Sequence, residues 1–191
     1  MAATEAARRD LQRRFAKLRA YLTDPDFLTN KGLGNEVGIY TLCYDPVLEI
    51  EVRDLVSRLK EADLPARIIE YNLYDLLIAR LEERRLLGRM DIYERKRGRE
   101  WIATQIANLC PANMYAERIA AAPREPGDVI LITGVGEVFP FLRLHDLFDS
   151  IQPLVGDVPI VALYPGRFDG RNLQLFSRLK EEHYYRAFDL V

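Results

Sequence analysis

Short apolar runs, each bounded by turn-forming residues and separated by stretches of helical period, constrain this chain most. Val37 to Tyr44 reads VGIYTLCY, rich in β-branched and aromatic residues and too short for a globular helix. Residues 67–71, 129–133, 158–164 and 184–190 repeat that character. Between them, leucines and valines recur every three to four positions, as in Val47, Ile50, Leu55, Val56 and Leu59. Strands alternating with helices imply right-handed crossovers and a mostly parallel sheet. The expectation is an α/β protein of about five strands with helices on both faces, a Rossmann-like or degenerate nucleotide-binding-like sheet.

Leu11, Phe15, Leu18 and Leu22 mark an amphipathic first helix whose other faces carry Arg8, Arg9, Arg13, Arg14, Lys17 and Arg19. It should stop near Thr23, because the residue before Pro25 is biased away from helical geometry. Asp45-Pro46 reads as an N-cap and first helical position for a helix reaching about Ala62. The next runs from Leu73 to Leu86, with Gly88 as its stop. Residues 89–100 are so charged that they read as an exposed connection, and Pro111 should break the helix that follows Trp101. Phe139 to about Gln152 and Asn172 to Lys180 complete the helices. With 191 residues and no internal repeat, 1–191 is expected to be one domain, residues 1–35 forming a helix and loop and 36–191 the α/β core.

Charge narrows the function. The 27 basic and 29 acidic side chains nearly cancel, so there is no general pull toward nucleic acid. Cys43 and Cys110 are far apart in sequence and form no CxxC pair, which points to a reducing compartment. No apolar N-terminal leader or bilayer-length run is present, and a cytoplasmic protein is expected.

Chemistry-bearing motifs are incomplete. Thr133-Gly134-Val135-Gly136, after a strand and before a helix, is a candidate anion-binding turn through Thr133, Gly134 and Gly136. The dinucleotide fingerprint fails at its third glycine, where Phe139 stands, and there is no P-loop lysine or serine/threonine. A tight structural turn, with a glycine at positive φ, is the plainer reading. Only His145 and His183 are available as histidines; His145, with Arg143 and Asp146 beside it, could act as a base, but a structural or surface histidine is the commoner outcome. No catalytic residue, metal ligand set or cofactor is assigned. Arg95-Lys96-Arg97-Gly98-Arg99 could meet phosphates, but Glu94 and Glu100 dilute it. Tyr71, Tyr74, Tyr93, Tyr115, Tyr184 and Tyr185, with the arginines, suit protein contacts.

The segment from Asp128 to Arg143, DVILITGVGEVFPFLR, with His145 two positions on, resembles the BrxB family of bacterial BREX phage-defence systems. Gly32 to Glu36, Glu70 to Tyr74, Tyr164-Pro165-Gly166 and Tyr184 to Phe188 fit the same family, so the resemblance covers nearly the whole chain. It implies a small accessory protein encoded beside PglZ, a phosphatase-like or nuclease-like protein, and beside an ATPase and an adenine methyltransferase. It further implies a non-catalytic adaptor, with PglZ as direct partner, the ATPase and methyltransferase as further contacts, and nucleic acid met only through the complex. Two other readings remain at this level: a degenerate nucleotide sensor at the glycine turn, and a nucleic-acid accessory using the basic first helix.

Overall fold

The computed structural model describes residues 4–31, 38–169, 172–180 and 188–190. Strands β1 (Ile39–Tyr44), β2 (Arg67–Asn72), β3 (Asp128–Thr133), β4 (Ile160–Phe168) and β7 (Phe188–Asp189) lie in the spatial order β2-β3-β4-β1-β7. Every pairing along that path is parallel, with Ile39 opposite Ile160, Ile130 opposite Ile160, Arg67 opposite Asp128 and Tyr40 opposite Phe188. The expected five-stranded, mostly parallel sheet is therefore present. Beyond it, β4 continues into an antiparallel hairpin with β5 (Leu173–Leu175) and β6 (Leu179–Lys180).

Both faces are covered, as buried parallel strands require. Alternate residues Leu42, Tyr44, Val129, Leu131, Val161 and Leu163 pack under α1 (Glu5–Tyr21), α2 (Pro25–Leu28) and α3 (Glu49–Glu61). The complementary set, Ile39, Cys43, Ile130, Ile132, Ala162 and Tyr164, meets α4 (Leu73–Glu83), α6 (Arg99–Leu109), α7 (Ala112–Ala120), α8 (Val135–Val138) and α9 (Leu144–Val155). Each buried leucine or isoleucine contributes about 1.5–3 kcal/mol, so these two layers hold the sheet together. Cys43 and Cys110 are both buried.

Helix starts follow local chemistry. The Thr4 hydroxyl accepts from Ala7 N at 3.2 Å, Asp24 from Asp26 N at 3.0 Å, and Asp45 from Val47 N at 3.1 Å. Pro46–Leu48 is a single 3-10 turn, and the α-helix proper begins at Glu49. The helix from Leu73 closes at Arg84 rather than near Gly88, because Arg85 turns to φ +55° and reverses the chain.

Three expectations are corrected. Residues 89–100 are not an irregular connection: Met90–Arg97 is helix α5, with Arg95 bonded to Asp91 at 2.9 Å one turn away, and α6 follows from Arg99. The helix expected from Phe139 begins only at Leu144, because Phe139 precedes Pro140 and is extended at ψ 138°. Asn172 to Lys180 is not helical. Leu173 and Leu175 alternate into the core against β4, and Phe176 and Ser177 take left-handed conformations at φ +53° and +58° that reverse the strand. Of the expected edge strands, Val37 and residues 184–187 lie outside the described residues, as do Gly32 to Glu36 and His183.

Candidate functional site

Parallel strands point their carboxyl ends to one rim of the sheet, where ligand and partner sites of such folds concentrate. In this protein that rim holds a cleft of about 210 Å³ between α3 and the ends of β1, β2 and β3. Tyr44, Glu49, Arg53, Glu70, Asn72, Thr133 and Gly134 line it.

Its polar side chains bind one another. The Tyr44 hydroxyl donates to Glu49 Oε2 at 2.5 Å, and Arg53 donates to Glu49 Oε1 at 3.2 Å and to Glu137 Oε1 at 2.6 Å. Lys60 donates to Glu70 Oε2 at 2.7 Å, and the Thr133 hydroxyl to Glu70 Oε1 at 2.8 Å. Burial, with Glu49 beside it, holds the Tyr44 phenol far above its ordinary range. It therefore stays protonated as a hydrogen-bond donor. Contacts with Glu137 and Glu49 hold the Arg53 guanidinium above its ordinary value, so it remains a cation.

Asn72 is the N-cap of α4, its Oδ1 accepting from Tyr74 N at 2.9 Å and Asp75 N at 3.2 Å. Gly134 presses against it at φ +74°, the positive φ expected for one glycine of this turn. Gly136 instead lies in the short helix α8, beneath the Phe176 ring and Pro165. The candidate anion turn is thus divided: Thr133 and Gly134 line the cleft, and Gly136 does not. The Thr133 hydroxyl is already given to a carboxylate, and Glu137 stands in the turn that would receive an anion. That is a poor setting for a phosphate.

His145 sits in the first turn of α9 with Nε2 3.0 Å from Asp146 Oδ1, and does not line the cleft. Arg95 pairs with Asp91 and Arg99 with Glu94, while Arg8 pairs with Glu51 and Arg13 and Arg14 share Asp10. Tyr115 is core and Tyr93 packs at a tilt of 44° against Trp101, with ring centres 5.3 Å apart; Tyr74 is exposed. Among the described residues no three His, Cys, Asp or Glu side chains gather as a metal site.

Around the cleft the rim is apolar and exposed. Val47 and Ile50 follow β1, Tyr74 follows β2, and Phe176 and Leu179 belong to the hairpin that extends β4; Ile50 is 82% exposed. Phe176 is held upright by an edge-on contact with Phe139, centres 6.3 Å apart. The sequence reading did not single out Glu49, Arg53, Lys60 or Asn72 for function. The available signal was their position, since polar residues just past parallel strands share one rim.

A family model described as "BREX protein BrxB" matches residues 69–190. The BREX protein BrxB of Bacillus cereus (strain H3081.97) is 36% identical over 189 residues, covering 96% of this chain and 98% of that protein. Its namesake from Escherichia coli O9:H4 (strain HS) is 31% identical over 183 residues, covering 95% and 92%. No solved structure matches. Among the described residues no helix is long and apolar enough to cross a membrane. These matches over most of the chain agree with the resemblance of its Asp128 to Arg143 segment: the protein belongs to the BrxB family of BREX proteins.

Proposed function

We propose that this protein is a non-catalytic adaptor in a BREX phage-defence complex and that it binds PglZ through the apolar rim around the cleft. Membership of the BrxB family makes it a BREX component with a role in phage defence. The observation that carries the adaptor role is the gathering of Val47, Ile50, Tyr74, Phe176 and Leu179 on one rim of the sheet. Exposed apolar side chains that cluster mark protein contacts, and a few aromatic or aliphatic anchors dominate such interfaces. Phe176 supports the reading twice over. It holds an unfavourable left-handed backbone, and it presents its ring to solvent at the tip of a hairpin.

The cleft supports the absence of catalysis. Its carboxylates, Arg53 and Thr133 are engaged with one another or with the neighbouring Lys60 and Glu137, and Tyr44 is a fixed donor rather than a base. The protein acts in the cytoplasm without cofactor or membrane attachment. The ATPase and methyltransferase are secondary contacts, and DNA is met through the complex.

Co-purification of tagged protein with PglZ tests the reading. Ile50→Asp and Phe176→Asp should each weaken binding about tenfold or more, as loss of an interface anchor does. Ile92→Asp and Leu154→Asp, exposed apolar positions away from the rim, should not. Absence of any association between folded proteins at tens of micromolar rejects PglZ as the direct partner.

A further inference from the structure

The outer edge of β2 is unguarded. Among the described residues β2 pairs only with β3, so the edge of a six-residue strand faces outward. Edge strands are normally protected by proline, bulges or charges that repel a second strand. β2 reads Arg67-Ile68-Ile69-Glu70-Tyr71-Asn72, with no proline, and it runs in unbroken register with β3 from Arg67 opposite Asp128 to Asn72 opposite Thr133. Its two charges are already paired within the chain, although the Arg67 side chain stays 56% exposed. Arg67 donates to both Asp128 oxygens at 2.6 and 2.8 Å, and Glu70 accepts from Thr133 and Lys60. The side chains that could warn off another strand are tied to the strand's own neighbours.

From this we infer that β2 pairs antiparallel with β2 of a second copy, across a two-fold axis at Ile69, joining two sheets into one. The register follows from symmetry. A two-fold axis perpendicular to the sheet keeps each face on the same side, so only residues of equal parity stand opposite one another. Two axes within β2 give the longest overlap. An axis at Glu70 sets Glu70 against its own copy, and like charges directly opposite are destabilising. An axis at Ile69 sets Ile69 against Ile69, Ile68 against Glu70, and Arg67 against Tyr71. The last pair places a guanidinium beside an aromatic ring, an arrangement Tyr71 already makes with Arg124 at 5.4 Å. Antiparallel joining also points the two carboxyl rims in opposite directions. The dimer would thus leave both rims free.

Cysteine cross-linking of the full chain, with sedimentation, tests the inference without any partner protein. Cys43 and Cys110 are buried, which keeps the background low. Under oxidising conditions Ile69→Cys should cross-link to a covalent dimer. Ile68→Cys, offset by two residues from its own copy, should not, because a disulfide needs Cα atoms within about 7 Å. Wild-type protein should sediment as a dimer at about 100 µM, and Ile69→Lys should raise the dissociation constant about tenfold or more by opposing two ammonium groups. Circular dichroism establishes that Ile69→Lys is folded. A wild-type monomer at that concentration overturns the proposal. So does a dimer indifferent to Ile69→Lys, or cross-linking through Ile68→Cys and not Ile69→Cys.

Discussion

Gly134 and Asn72 are locked together at the carboxyl ends of β3 and β2: a Cβ on Gly134 would stand 2.4 Å from Asn72 Oδ1. That oxygen caps α4, so one glycine protects both a turn and a helix start. Gly134→Ala should cost about 1–2 kcal/mol for the left-handed backbone and about 1 kcal/mol more for the disturbed cap. Urea denaturation measures the sum. Loss of defence should track loss of stability.

Gly136→Ala should separate structure from binding. Its new methyl group would meet the Phe176 ring and Pro165 at 2.9 Å, displacing an exposed aromatic rather than a backbone cap. Stability should fall less than for Gly134→Ala, while PglZ association falls as it does for Phe176→Asp. Calorimetry of the variant with PglZ, beside its own melting curve, gives both quantities.

Asp128 should make folding acid-sensitive. Its side chain is 1% exposed, and the hydrogen bond from Arg67 holds its carboxyl below the ordinary value. A lowered folded value means stability is fully present above the unfolded carboxyl range and is lost as pH falls through the folded one. Melting curves from pH 7 down to about 3 should fall more steeply for wild type than for Asp128→Asn. Equal slopes would remove this carboxylate from the acid response.

Arg53, by contrast, should matter little to folding. Its partners Glu49 and Glu137 are about one-third exposed, and solvent screening leaves such pairs worth about 0–1 kcal/mol. Arg53→Ala should therefore lower stability by less than about 1 kcal/mol, an effect that added salt diminishes. A larger loss in urea titrations would mean the cleft is structural.

ATP should be neither bound nor hydrolysed. The Thr133 hydroxyl is given to Glu70, and Glu49 and Glu70 line the cleft a triphosphate would have to enter. Calorimetry with Mg-ATP and a phosphate-release assay should both be flat. Turnover abolished by Thr133→Ala would overturn the non-catalytic reading.

Strands β1 to β4 were legible because each is a short apolar run between turn signals, and a strand buried on both faces needs little else. The β5–β6 hairpin was not. Leu173, Phe176 and Leu179 fall at helical spacing, and only packing of Leu173 and Leu175 on β4 makes an alternating reading win. α5 was hidden by its charges, whose pairing within the helix becomes visible only once they are wound into turns. The cleft escaped for another reason: Tyr44, Glu49, Arg53, Glu70 and Thr133 come from four segments that only the parallel register brings together. By contrast, Gly134 announced itself as a turn after a strand.

β4 is a shared member of two structures: Ile160–Pro165 run beside β1 in the parallel sheet, and Gly166–Phe168 pair with β5 in the hairpin. Gly166 keeps the join tight, because a Cβ there would stand 2.1 Å from the Gln174 carbonyl oxygen. A partner that grips Phe176 therefore pulls on a continuous strand through the middle of the sheet. Tension along β4 loads its hydrogen bonds to β1 and β3 in shear, so they resist together instead of parting one at a time. The hairpin is thus anchored through a strand that two neighbours hold along its length.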